Sequence, residues 1–85
     1  MAKVVKTFVG ASSTFKTELL VALAKAPKPL RQIEVVMTDD YKRGERAWRI
    51  DNPLTEDALR EMCEFVDTAN SQGMREGMIA LSDDD

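Results

Sequence analysis

The chain has 85 residues, 44% of them hydrophobic and 32% charged, with a net charge of −3, which is typical of one small folded domain. One cysteine and no histidine exclude an intrachain disulfide, a structural zinc site and histidine-dependent catalysis. No apolar stretch is long enough for a signal peptide or a membrane span, so we expect a cytoplasmic protein that binds no membrane, metal or cofactor.

The first predicted strand comprises residues 4–9, which are rich in β-branched side chains. Val5 and Val9 lie on one of its faces, and Val4 and Phe8 lie on the other. Apolar residues on both faces are typical of a strand in the centre of a sheet.

A helix is predicted next, beginning at Ser12 or Ser13, either of which can cap it, and ending near Ala26. Pro27 and Pro29 follow and prevent its continuation. Its apolar residues have the spacing of one buried helical stripe: Phe15, Leu19, Leu20, Leu23 and Ala26.

A β-hairpin is predicted in the middle of the chain. Residues 31–39 alternate between apolar and polar side chains, as in a half-buried strand. Residues 40–45 form a turn, and residues 46–51 return as a strand with Trp48 and Ile50 on one face. Asn52 and Pro53 then break this strand.

The second predicted helix is capped by Thr55 and has Glu56 and Asp57 in its first turn, where the helix dipole favours acids. Residues 70–73 end it. Its apolar stripe consists of Leu59, Met62, Cys63, Val66 and Ala69, with Phe65 beside it. Cys63 is expected to be a small core residue, since the chain has no histidine to activate its thiol.

Residues 78–81 predict a short last strand, or alternatively an ordered loop, and residues 83–85 form an acidic tail. The resulting order is βαββαβ. It predicts an α+β fold, a ferredoxin-like plait with an antiparallel sheet and both helices on one face, as a single domain over residues 1–82. Right-handed crossovers are expected to place the first and third strands in the centre of the sheet.

Two stretches of the chain resemble the motifs of RNA-recognition-motif domains. Residues 7–10 are similar to the first-strand motif, and residues 43–50 are similar to the third-strand octapeptide that opens with Arg or Lys followed by Gly. The resemblance covers nearly the whole chain and implies a plait that binds RNA on its open sheet face. In that family aromatic side chains stack on bases, and Phe8 occupies one such position while Arg43 occupies the basic one.

The rest of the third-strand motif departs from the family, because Glu45 and Ala47 stand at its two other stacking positions. The hairpin nevertheless mixes basic and aromatic residues, as nucleic-acid surfaces do. The candidate nucleic-acid residues are Phe8, Arg43, Arg46 and Arg49. The alternative is a solvated hairpin tip with Trp48 in the core and Arg46 extending from the inner face to water.

Residues 10–17 are one residue away from the phosphate-binding loop of nucleotide hydrolases and lie between a strand and a helix. Phe15 replaces the glycine that allows close approach to phosphate, so nucleotide hydrolysis is not expected. Anion binding by Ser12, Ser13 and Lys16 at the start of the helix stays open.

Charge is divided unequally along the chain. Residues 1–50 carry a net charge of +5, whereas residues 51–85 carry −8. On the second helix the acids Asp57, Glu61 and Glu64 share the outer side, where they form either a solvated face or a surface for a basic partner.

No catalytic residues are predicted. The sequence is best interpreted as a small non-enzymatic binding or regulatory protein that contacts another protein, as inhibitors made by phages and mobile elements do. Asp57, Glu61 and Glu64 are the candidate protein-binding residues. The alternatives are a single-stranded RNA- or DNA-binding module and a homo-oligomeric structural protein.

Overall fold

The computed structural model describes residues 3–26, 28–51 and 55–83. They form the predicted α+β, ferredoxin-like plait, in the order β1 (Lys3–Val9), α1 (Ser12–Ala24), β2 (Gln32–Thr38), β3 (Glu45–Asp51), α2 (Glu56–Ser71) and β4 (Glu76–Ser82). The last strand is therefore a full strand and not a loop. Pro27, the Asn52–Pro53 break and the last two acidic residues lie outside the described residues.

The four strands form one antiparallel sheet in the order β1-β4-β2-β3. The centre is occupied by β4 and β2, so the expectation that the first and third strands are central was wrong. A right-handed crossover from β1 to β2 leaves room for one strand between them and does not specify which one. Glu45, Arg49 and Asp51 on β3 favour an edge position, whereas β4 carries no charge from Gly77 to Ser82.

The register divides the sheet into an inner and an outer face. Val35 in β2 lies opposite Trp48 in β3 and Ile79 in β4, and these three side chains share the inner face. Val5 and Val9 of β1 lie on the outer, open face and are exposed.

Both helices pack on the inner face of the sheet and close one hydrophobic core. Its buried members are Phe8, Phe15, Leu19, Ala22, Ile33, Val35, Met37, Met62, Val66, Ala69, Ile79 and Leu81. Trp48 and Leu23 are partly buried against this core. Phe8 and Phe15 meet edge to face, with their ring centroids 5.3 Å apart.

Only the second helix has the cap that its sequence predicts. The N–H of Ala58 donates to Thr55 Oγ1 at 3.0 Å. In α1 the N-cap position is Ala11, without a side-chain cap, so neither Ser12 nor Ser13 caps this helix. Ser12 is already the first helical residue, and its N–H is satisfied by a different element, as described below.

Candidate protein-binding surface of the helical layer

Two leucines that the helical spacing assigns to the core lie at the surface. Leu20 of α1 is 68% exposed and Leu59 of α2 is 39% exposed. Each apolar stripe is thus wider than the contact that its helix makes with the sheet. The extra residues of both stripes face the space between the helices.

The space between α1 and α2 is an apolar groove with a volume of about 330 Å³. Buried Leu19 and Met62 form its floor, and Leu20, Leu23 and Leu59 form its walls. Lys16, Thr55 and Glu56 complete the lining. We call the surface formed by these eight residues the interhelical groove.

The two helices are tied together at the end of α1 that lies away from Leu23. The Ser12 N–H donates to Asp67 Oδ1 at 3.1 Å, and the Ser12 hydroxyl donates to Asp67 Oδ2 at 3.0 Å. The carboxylate at this helix start therefore belongs to the chain itself. In the loop that resembles a phosphate-binding loop, Ser12 therefore already binds an anion, the Asp67 carboxylate of the same chain.

Cys63 lies beside this contact and is half-buried. Burial raises the pKa of its thiol, with nearby Lys16 opposing the shift and Asp67 adding to it. A raised pKa keeps the thiol protonated near neutrality, which disfavours a nucleophilic role.

The predicted acidic residues Asp57, Glu61 and Glu64 are all exposed on α2. Asp57 pairs with Arg60 at 3.1 Å, a contact between exposed side chains that contributes little to stability. Together α1 and α2 contain two basic and six acidic residues, a net charge of −4. The charged residues that line the interhelical groove itself are Lys16 and Glu56, one of each sign.

The three candidate arginines do not form one patch. Arg43 lies in the hairpin loop with its guanidinium 5.2 Å from the centre of the Tyr41 ring. Arg49 is on the outer face of the sheet, opposite Glu34. Arg46 points to the helical side, as the alternation predicted.

Arg46 is held by the second helix. Its guanidinium lies 5.9 Å from the centre of the Phe65 ring, and Nη1 donates to Gln72 Oε1 at 2.6 Å. These contacts explain how an inner-face arginine reaches solvent at the edge of the sheet.

Phe8 is only 4% exposed, so its expected role as a base-stacking residue was wrong. It points to the inner face, where it packs against Phe15. In addition, β1 and β3 are the two outer strands, separated by β4 and β2. At strand spacings of about 4.8 Å, the two motif-like stretches are about 14 Å apart and cannot form a continuous stacking surface.

Residues 3–26, 28–51 and 55–83 contain no group of three or more His, Cys, Asp or Glu side chains placed to hold a metal ion. Neither described helix has the length and apolar character needed to cross a membrane.

No protein-family model matches the chain, and searches of the curated proteins and of the solved structures found no significant match.

Proposed function

We propose that the chain is a small non-enzymatic binding protein, of the regulatory or inhibitor type, that contacts a partner protein through its helical layer. One observation carries the proposal. Leu20 is 68% exposed at an apolar interhelical groove, in a domain that buries the side chains beneath it. Apolar surface concentrated around a concave site is a mark of interaction surfaces.

Burial of the exposed leucines of the groove in a complex also favours this surface as the binding site. Burying the exposed part of Leu20 under a partner contributes about 1–2 kcal/mol, because apolar area removed from water stabilises a complex. Leu59 adds to this contribution from the opposite wall. In protein interfaces a few centrally buried side chains supply most of the affinity, most often Trp, Tyr and Arg and less often Leu.

The acids supply a second contribution. Asp57, Glu61 and Glu64 are exposed on the side of α2 that is turned away from the groove, in a helical layer with a net charge of −4. Such a field accelerates the encounter with a basic protein and disfavours an acidic one. The acidic face therefore acts on partner selection, and the apolar groove acts on affinity.

Affinity capture from the cells that naturally produce the protein, followed by mass spectrometry, tests the proposal. We expect a specific partner on the wild-type chain that is lost with Leu20→Ser combined with Leu59→Ser. The matched control is Val5→Ser combined with Val9→Ser, which removes exposed apolar side chains from the open sheet face. Partner loss in the control alone, or no specific partner, would contradict the proposal.

A further inference from the structure

We infer that β1 pairs with β1 of a second copy of the chain, antiparallel and centred on Thr7, so that two four-stranded sheets join into one continuous sheet. Three features of the edge strand carry this: the direction of its backbone groups, its low charge, and the match of its sequence to itself. The dimer uses a surface other than the helical layer.

The free edge of β1 presents a row of backbone groups. In the described part of the chain, β1 pairs with β4 alone. The N–H of Gly10, just after the strand, donates to the Arg75 carbonyl at 2.8 Å and so points toward β4. Because backbone groups alternate in direction along a strand, those of Val5, Thr7 and Val9 point away from β4. Such a row is satisfied by an extended strand that adds to the sheet.

The sequence of β1 leaves this edge open to pairing, unlike the other edge of the sheet. Charged side chains protect exposed edges, and β3 carries four of them in seven positions. In β1 only Lys3 and Lys6 are charged. Lys6 points to the inner face and pairs with Glu18 of α1, with 3.5 Å between its Nζ and Oε1. The side chains of Val5 and Val9 are 49% and 67% exposed on the open face.

The sequence of β1 is complementary to itself when the two copies are aligned at Thr7. Val5 of each copy then lies opposite Val9 of the other, and Thr7 lies opposite Thr7. All three residues point their backbone groups to the edge, so each pair exchanges both of its N–H···O bonds. Val–Val and Thr–Thr pairs on one face stabilise a sheet. Centring the pair on Lys6 would instead place two like charges opposite each other, and this match therefore favours a second copy in the Thr7 register.

The helical layers of two copies fit side by side on such a sheet. In each copy α1 packs over β1 and β4, whereas α2 packs over β2 and β3. At a strand spacing of about 4.8 Å, two helices that each lie above a β1–β4 pair are about 10 Å apart, which is the distance between packed helices. The free edge of β1 lies on the side of α1 away from α2, so the dimer leaves the interhelical groove open.

Sedimentation equilibrium of the full chain tests the dimer. Thr7→Pro removes the central donor of the joined edges, and proline is tolerated in an edge strand where the N–H faces away from the sheet. Thr7→Ser keeps this donor and is the matched control. We expect the wild type and Thr7→Ser to form a dimer, and Thr7→Pro to raise its dissociation constant at least about tenfold, because two central hydrogen bonds are lost.

Cross-linking tests the register in a Cys63→Ala background, which removes the native thiol. A mixture of the Val5→Cys and Val9→Cys chains should form a disulfide-linked dimer under mild oxidation, since opposite residues of a hydrogen-bonded pair have Cα atoms about 5.5 Å apart. The Val5→Cys chain alone should not, because its two cysteines are four residues out of register, about 14 Å along the strand.

A wild-type chain that stays monomeric up to about 1 mM would overturn the inference and leave the edge to a strand of another protein. A dimer that Thr7→Pro leaves intact would also overturn it, as would one that Leu20→Glu dissociates, because the interface would then lie in the groove. If Thr7→Pro does not fold, the cross-link decides. Equal cross-linking of the mixture and of the Val5→Cys chain alone would contradict the pairing.

Discussion

Asp67 on α2 accepts two hydrogen bonds from Ser12 on α1, one from its N–H at 3.1 Å and one from its hydroxyl at 3.0 Å. The two residues are 55 positions apart in sequence. Asp67 thus satisfies an N–H at the start of a helix that has no cap of its own, and its negative charge meets the positive end of the helix dipole. The contact also fixes one end of the helix pair that forms the groove.

We expect Asp67→Ala to lower the free energy of unfolding by about 1 kcal/mol, the typical effect of losing a helix cap. Urea denaturation measures it, with Glu64→Ala as the control on an exposed acid of the same helix. The control should change stability by less than about 0.5 kcal/mol. In a double-mutant cycle with Ser12→Ala, additive effects would show that the two residues are not coupled.

At Gly77 the backbone of β4 packs directly against the Phe8 ring in the core. An added Cβ would overlap the Phe8 ring and lie 2.7 Å from Met37 Sδ. We expect Gly77→Ala to destabilise the domain by about 1–3 kcal/mol through overpacking.

Gly44→Ala is the matched control, since its added Cβ would make ordinary contacts at 3.5 and 3.8 Å. Urea melts of the two variants compare them. Because the clash involves the Phe8 ring, Phe8→Leu should recover part of the stability lost in Gly77→Ala. Equal stability of the two glycine variants would mean that the core is looser at Phe8 than described.

Cys63 gives a prediction about pH. Burial raises the pKa of its thiol, so the folded state binds this proton more tightly than the unfolded chain does. The stability contributed by the protonated thiol is present at neutral pH. It is lost as the pH rises through the alkaline range toward the folded-state pKa.

Alkylation by iodoacetamide across a pH series measures this effect. The folded protein should reach half-maximal rate at a higher pH than the urea-unfolded chain. Lys16→Gln should move the midpoint higher still, because the positive charge of Lys16 opposes the shift. A midpoint at or below that of the unfolded chain would contradict the burial of the thiol.

Nucleic-acid binding is predicted to be weak at physiological salt. Arg43, Arg46 and Arg49 point in different directions, and the only aromatic residue of the first-strand motif is buried. Labelled single-stranded RNA and DNA, titrated in a salt series, test this. Submicromolar binding near 150 mM salt, about physiological ionic strength, would contradict it, particularly if replacing the three arginines with alanine flattened the salt dependence.

The local structure followed from the sequence, whereas the arrangement of the strands did not. Alternation over 31–39 and the cap at Thr55 predicted β2 and α2 because both signals depend on neighbouring residues. The predicted central position of β1 was wrong, because β1 is an edge strand. Apolar residues on both faces are typical of a central strand, but they also occur on this edge strand, where Val5 and Val9 are exposed. The uncharged run from Gly77 to Ser82 was the sequence feature that indicated a central position for β4 in the sheet.

The groove could not be predicted for a similar reason. Helical spacing identifies the apolar residues of a face but not how far the neighbouring helix covers it. Leu20 and Leu59 were therefore assigned to the core, although they line a surface site. The partner of Ser12 was also inaccessible to sequence reasoning, because Asp67 reaches it from a different helix.

The strand order also has a consequence for how the chain folds. The two halves of the sheet are joined by β4, which pairs with β1 on one side and with β2 on the other. Until β4 is in place, β1 with α1 and the β2–β3 hairpin have no backbone pairing to each other. Lys3 pairs with Ser82, so this contact closes a loop of nearly the whole chain. The conformational entropy of closing that loop is lost before the pairing of the strands stabilises the sheet. We therefore expect slow folding for a domain of this size, with sheet formation completed when β4 pairs with β1 and β2.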